Sequence, residues 1–106
     1  MWSVETLGKI VDDEIARWPP DLRARLVRVS ALIEEVGLEQ LPGGTIKHVE
    51  GRLWELRFSA KSGISRAIYV TASGKRVVIV HAYVKKTEKM PKRHLQLARQ
   101  RARDVI

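Results

Sequence analysis

The sequence predicts an α+β fold, in which an N-terminal helix pair packs on a small curved antiparallel sheet of three to four strands, with a C-terminal helix. Three observations lead there. Apolar residues recur at helical spacing through the first third of the chain. After Leu41-Pro42-Gly43-Gly44 the apolar period shortens to two, the period of a strand. Beyond Pro91 the helical spacing returns.

Taken in order, Trp2 to Leu7 reads as a short edge strand. Ile10, Val11, Ile15 and Trp18 form one helical stripe between Lys9 and Trp18, and Pro19-Pro20 ends that helix and starts the next. Leu22, Leu26, Val29, Ile33 and Val36 line one face of the second helix, with Gly37 placed to terminate it. Two helices separated by so short a break read as an antiparallel pair. Trp54, Leu56 and Phe58 alternate with Glu55 and Arg57, so this segment is a half-buried strand. Ile64 to Thr71 is rich in β-branched and aromatic residues, and Val77 to Val84 is nearly continuous in apolar residues, as in a strand covered on both faces. Ser73-Gly74 between them signals a hairpin. Leu95, Ala98, Ala102 and Val105 give the last helix its apolar side.

A chain of 106 residues fits one domain spanning 1–106, and 44% apolar content is that of a folded protein. No apolar run approaches the ~18 residues of a membrane span, and the N-terminus lacks the pattern of a secretory signal. The chain has no cysteine, which removes disulfides, thiolate metal sites and cysteine nucleophiles and fits a cytoplasmic location. Its net charge of +8 is divided unevenly. Residues 1–46 carry five Lys or Arg against eight Asp or Glu, a net −3, whereas residues 47–106 carry fifteen against four, a net +11. Such asymmetry points to a polyanion-binding face in the second half, although a solvated surface or an acidic protein partner would also use it.

The cations of that half sit inside apolar strand patterns. Arg57 follows Trp54-Glu55-Leu56, Arg66 opens Ala67-Ile68-Tyr69-Val70, and Lys85-Lys86 closes the long apolar strand after Tyr83. Arginine fixed to a sheet presents a stiff planar fork that matches phosphate, and it can stabilise charge developing on one. The plainer alternative is that Arg57 pairs with Glu55 or Glu50, and that Lys85-Lys86 merely ends a strand. RNA carries its own nucleophile, the 2′-hydroxyl, so cleavage needs only a proton acceptor, cations and a proton donor. Lysine, histidine and tyrosine are the candidates for proton transfer, and a pKa lowered by neighbouring cations would suit Lys85 or Lys86 to base work. In an unbroken strand Ile79, His81, Tyr83 and Lys85 share one face and Lys86 points to the other. His48, His81 and His94 lack metal-ligand spacing, no phosphate-binding glycine loop is present, and no metal or other cofactor is expected.

These segments resemble a known family. Lys47-His48-Val49-Glu50-Gly51-Arg52-Leu53-Trp54-Glu55-Leu56-Arg57, Ser65-Arg66-Ala67-Ile68-Tyr69 and His81 to Pro91 are similar, in order and spacing, to three motifs of the phage-derived HigB-like toxins of the RelE/ParE superfamily. Tyr83 stands where phenylalanine is common, and Met90 where threonine is usual. The resemblance implies a RelE-like fold and the toxin of a bacterial type II toxin–antitoxin pair. Its activity would be that of a metal-independent mRNA endoribonuclease, acting on the ribosome to inhibit translation. Its partner would be an antitoxin, a helix-turn-helix DNA-binding protein, in a hetero-oligomer. Arg57, Arg66, Lys85 and Lys86 fall at the catalytic and phosphate-binding positions, with Lys47, His81 and Tyr83 as further RNA contacts. Two alternatives stand beside this: a non-catalytic inhibitor of a protein such as DNA gyrase, as in the ParE branch, and a plain RNA-binding module.

Overall fold

The computed structural model describes residues 1–86 and 89–106. Thr87 and Glu88, which belong to the third resembling segment, lie outside the described residues. The elements run β1 (Ser3–Thr6), α1 (Lys9–Ala16), α2 (Pro20–Val36), a 3-10 turn (Leu38–Gln40), β2 (Ile46–Glu50), β3 (Leu53–Ala60), β4 (Gly63–Ala72), β5 (Arg76–Lys85) and α3 (Lys92–Ala102). The strands form one five-stranded sheet in the order β1-β5-β4-β3-β2.

The α+β architecture is the one expected, and the structure enlarges it in three ways. The edge segment at the N-terminus pairs parallel to β5, with Val4 opposite Val77, so the sheet is mixed rather than wholly antiparallel. Five strands form where three or four were expected, because β2 adds to the outside of β3 through Ile46↔Leu56 and Lys47↔Glu55. The first two helices make their main contacts with the sheet, α1 with β5 and α2 with β3 and β1, rather than with each other.

Alternation sorts the strand residues onto two faces. On one face Leu56, Phe58, Ala67, Tyr69, Val77 and Ile79 pack with Val11, Trp18, Leu22, Leu26 and Ile33 of the N-terminal helical region. On the other, Leu53, Ile68, Val70, Val78 and Val80 pack with Ala98, Ala102 and Val105 at the C-terminal end. Each large aliphatic side chain removed from water in this way contributes about 1.5–3 kcal/mol. The near-continuous apolar character of β5 follows from this position between two cores.

Local chemistry fixes the ends. Gly37 closes α2 with φ 91°, and its N–H donates to the Ile33 carbonyl at 2.8 Å. Asp21, in the first turn of α2, accepts from the backbone N–H and the hydroxyl of Ser62, tying the helix to the β3–β4 turn. Ser62 holds the Asp21 carboxyl below its usual pKa through those bonds. Arg52 donates to the Val105 carbonyl at 3.0 Å and so pins the chain beyond α3.

Candidate functional site

The site begins with a fault in the β4–β5 ladder. Ile68 pairs with His81 and Tyr69 pairs with Ile79, so β5 spends one more residue than β4 across this step. Both Val80 and His81 therefore serve the α3 face, and the alternation restarts one residue out of phase. Ala82 joins the core beneath α1 and α2, while Tyr83 joins the core beneath α3. This corrects the unbroken-strand expectation, in which Ile79 shared a face with Tyr83 and Lys85. Ile79 lies in the opposite core.

The shift puts a row of chemistry across three strands. Arg57 of β3 pairs with Arg66 of β4, which pairs with Tyr83 of β5. Glu55 is two residues from Arg57 and hence on the same face, opposite Lys47 of β2. Lys47, Glu55, Arg57, Arg66, Tyr83 and Lys85 line one cleft of about 200 Å³. Five residues expected from the sequence are thus brought together. Lys86 and His81 line a second, adjoining cleft instead.

Two guanidiniums directly across a ladder repel. Arg66 is only 5% exposed, and burial, then the nearby Arg57, lowers its pKa. The buried Glu55 carboxylate offsets part of this, 3.7 Å from both Arg57 and Arg66. The pairing of Arg57 with Glu55, raised as the plainer alternative, is therefore present. It leaves two positive charges facing one negative charge, and the cleft keeps the balance of an anion site. Glu50 pairs elsewhere, with Arg99 at 2.6 Å and 2.7 Å. Tyr83 is buried, which pushes its phenol up to about 12, so at neutral pH it is a proton-bearing donor.

The second cleft, of about 470 Å³, opens on the other side of Tyr83 and Lys85. Its wall is a polar cluster that sequence reasoning missed. Glu14 of α1 accepts from Arg101 of α3 at 2.9 Å and from the Ala82 N–H at 3.1 Å. Arg101 also donates to the Val80 carbonyl at 3.0 Å, and its Nη1 lies 3.0 Å from His81 Nδ1. His81 Nδ1 also lies 3.2 Å from Glu14 Oε2, and His81 Nε2 lies 2.7 Å from His94 Nδ1, so both ring nitrogens have partners within the cluster. Burial is the main cause that lowers His81 to about 4 and also lowers His94, so both rings are neutral at neutral pH. His94 lies flat on Tyr83, with ring centres 4.0 Å apart and planes 11° apart. In the sequence Glu14 belongs to the run Asp12-Asp13-Glu14, and adjacent carboxylates on a helix usually face solvent. Only its helical spacing from Val11, Ile15 and Trp18 could have turned it toward the sheet.

Among the described residues no group of three or more His, Cys, Asp or Glu side chains could hold a metal ion. No described helix is long and apolar enough to cross a membrane. A comparison with curated proteins finds no match. The family model described as "Phage derived protein Gp49-like" matches residues 13–103, a stretch that contains the end of α1, all of α2, the arginine row and α3. The chain belongs to this Gp49-like family of phage-derived proteins, a toxin-like family related to RelE and HigB.

Proposed function

We propose that the protein is the toxin of a type II toxin–antitoxin pair and cleaves mRNA without a metal, as a single domain over residues 1–106. The observation that carries this reading is the Arg57–Arg66–Tyr83 row around a buried carboxylate, an arrangement that favours a phosphate ester and offers it a proton acceptor. Arg57 and Arg66 grip the non-bridging oxygens of the scissile phosphate. Glu55 takes the 2′-hydroxyl proton, the 2′-oxygen attacks phosphorus, and the 5′-oxygen of the next nucleotide leaves. The products are a 2′,3′-cyclic phosphate and a 5′-hydroxyl, the latter completed by a proton from Lys85 or Tyr83. The stiff guanidiniums stabilise the extra negative charge of the phosphorane. Lys47 at the rim guides the strand. Lys86, on the second cleft, contributes charge rather than chemistry, and His81, both of whose ring nitrogens are engaged, braces the wall.

An antitoxin that silences this activity would cover the same cationic cleft, and the ribosome is the setting implied by the family likeness. Translation in a cell-free extract followed by mapping of mRNA 5′ ends tests the proposal. Discrete cuts that vanish in Arg66→Ala and fall at least a hundredfold in Glu55→Gln are expected, from the ~2.7–4 kcal/mol typical of one lost transition-state contact. Arrested translation with intact mRNA would refute cleavage, and DNA damage dependent on gyrase would point to the ParE-like mode.

A further inference from the structure

We infer that the second cleft seats the nucleotide unit next to the scissile phosphate, stacking its base on the histidine–tyrosine wall and holding its phosphate with Arg17, Lys86 and Arg93. This rests on the proposed RNA reading of the adjoining cleft and extends it to a second subsite.

Four observations carry the inference. The two clefts share Tyr83 and Lys85, so a strand bound in one is delivered into the other without crossing bulk protein. The volume of about 470 Å³ is ample for a nucleotide. The wall is a stack of aromatic rings: His94 lies on Tyr83 at 4.0 Å, His81 stacks 5.7 Å from Tyr83, and with His81 and Tyr83 buried it is the half-buried His94 that offers a face. Planar rings of this kind accept any base through its π-face. The rim is cationic and comes from separate elements, with Arg17 just after α1, Lys86 just after β5 and Arg93 in α3, all three exposed.

The wall is also built to stay put. Both ring nitrogens of His81 are occupied, and Glu14 is saturated by Arg101 and the Ala82 N–H. Glu14, the single carboxylate among the described residues lining this cleft, is thus neutralised by a partner within the fold and does not oppose a phosphate at the rim. Trp18 borders the same space with a buried indole N–H that has no acceptor among the described residues. A neutral aromatic wall beside exposed guanidiniums is the combination that binds single-stranded nucleic acid, and it is poorly suited to an acidic peptide, which offers no base to stack.

The test is titration of the whole protein with a short oligonucleotide made 2′-deoxy throughout, which lacks the nucleophile and cannot be cut by the proposed route. Affinity is read by fluorescence anisotropy over a range of salt, and ring contact by the imidazole signals of His94 in NMR spectra. Arg17→Ala with Arg93→Ala is expected to weaken binding roughly tenfold and to lower the slope of log K against log salt by about 1.4, two phosphate contacts' worth. His94→Ala is expected to weaken it roughly tenfold through lost stacking, with little change in salt slope. Because Arg17 and Arg93 are exposed, their variants should melt like the parent, which separates lost binding from lost folding.

Unchanged affinity in the double variant, or His94 signals that ignore the oligonucleotide, would overturn the subsite. So would adenosine 5′-monophosphate binding as tightly as the oligonucleotide, which would mark a free-nucleotide site. Cleavage of unmodified RNA is scored separately. If RNA stays intact while oligonucleotide binding still depends on Arg17 and Arg93, the nuclease reading fails and the subsite stands. If RNA is cut while the double variant binds like the parent, the subsite fails and the nuclease reading stands.

Discussion

Glu14 is the most informative side chain to remove for stability. Its carboxylate is 13% exposed and meets Arg101, itself 12% exposed, at 2.9 Å. The same group caps the Ala82 N–H, on the side where β5 has run past the end of β1 and no strand adjoins it. Among the described residues Glu14→Ala therefore leaves the largely buried Arg101 guanidinium with the Val80 carbonyl and at most His81 Nδ1 as acceptors, and it leaves the Ala82 N–H without its carboxylate. Breaking one partner of a buried pair costs about 3–5 kcal/mol, well above the value of an exposed pair. For a chain of this size about 3 kcal/mol corresponds to a fall in Tm of roughly 10–20 °C. Thermal and urea unfolding followed by circular dichroism measures it. A cycle with Arg101→Met identifies the cause, because the double variant should be less damaged than the sum of the singles once no unpaired charge remains. A loss below about 0.5 kcal/mol in Glu14→Ala, or strict additivity in the cycle, would show that the cluster is not the clamp described here.

Three further outcomes follow from particular side chains. Because burial places His81 at about 4, below its ordinary 6.5, the native state binds fewer protons than the unfolded chain. Stability should accordingly be full above about pH 6.5 and decline as the pH falls toward 4, with His94 acting in the same direction; His81→Leu should flatten Tm against pH between about 6.5 and 5, above the range where carboxylates titrate. Ser65 is fully buried with a hydroxyl that has no partner among the described residues, so Ser65→Ala should be neutral or raise stability by up to about 1 kcal/mol, and a loss beyond that in urea melts would reveal a hidden acceptor. Gly37 has φ 91°, and an added Cβ would come within 3.3 Å of the Trp2 ring, so Gly37→Ala should cost about 1–2 kcal/mol and disturb β1 first, as amide exchange at Val4 would report.

The helices and strands were legible because their cores impose clear periods: Leu22, Leu26 and Ile33 at helical spacing, Leu56 and Phe58 at alternation. The conjunction of Lys47, Arg57, Arg66, Tyr83 and Lys85 was legible as well, since each is a polar residue placed where an apolar strand makes it conspicuous. Other features gave no such contrast. The parallel pairing of β1 depends on where a distant strand ends, and Glu14 and Arg101 become partners only because α1 and α3 approach the same edge of β5 from opposite faces. The role of Glu55 was partly visible as a possible partner for Arg57, but its burial between two arginines depends on Arg66 arriving from the next strand. The extra residue at Val80–His81 leaves no mark at all, for the run Val77–Val84 looks the same with a bulge or without one.

That surplus residue makes the cleft depend on the course of the backbone as well as on which side chains it carries. A β5 that kept all its residues but ran without the bulge would turn Tyr83 and Lys85 to the far side of the sheet, away from Arg57 and Arg66, whereas loss of Val80 would restore regular pairing and leave Tyr83 opposite Arg66.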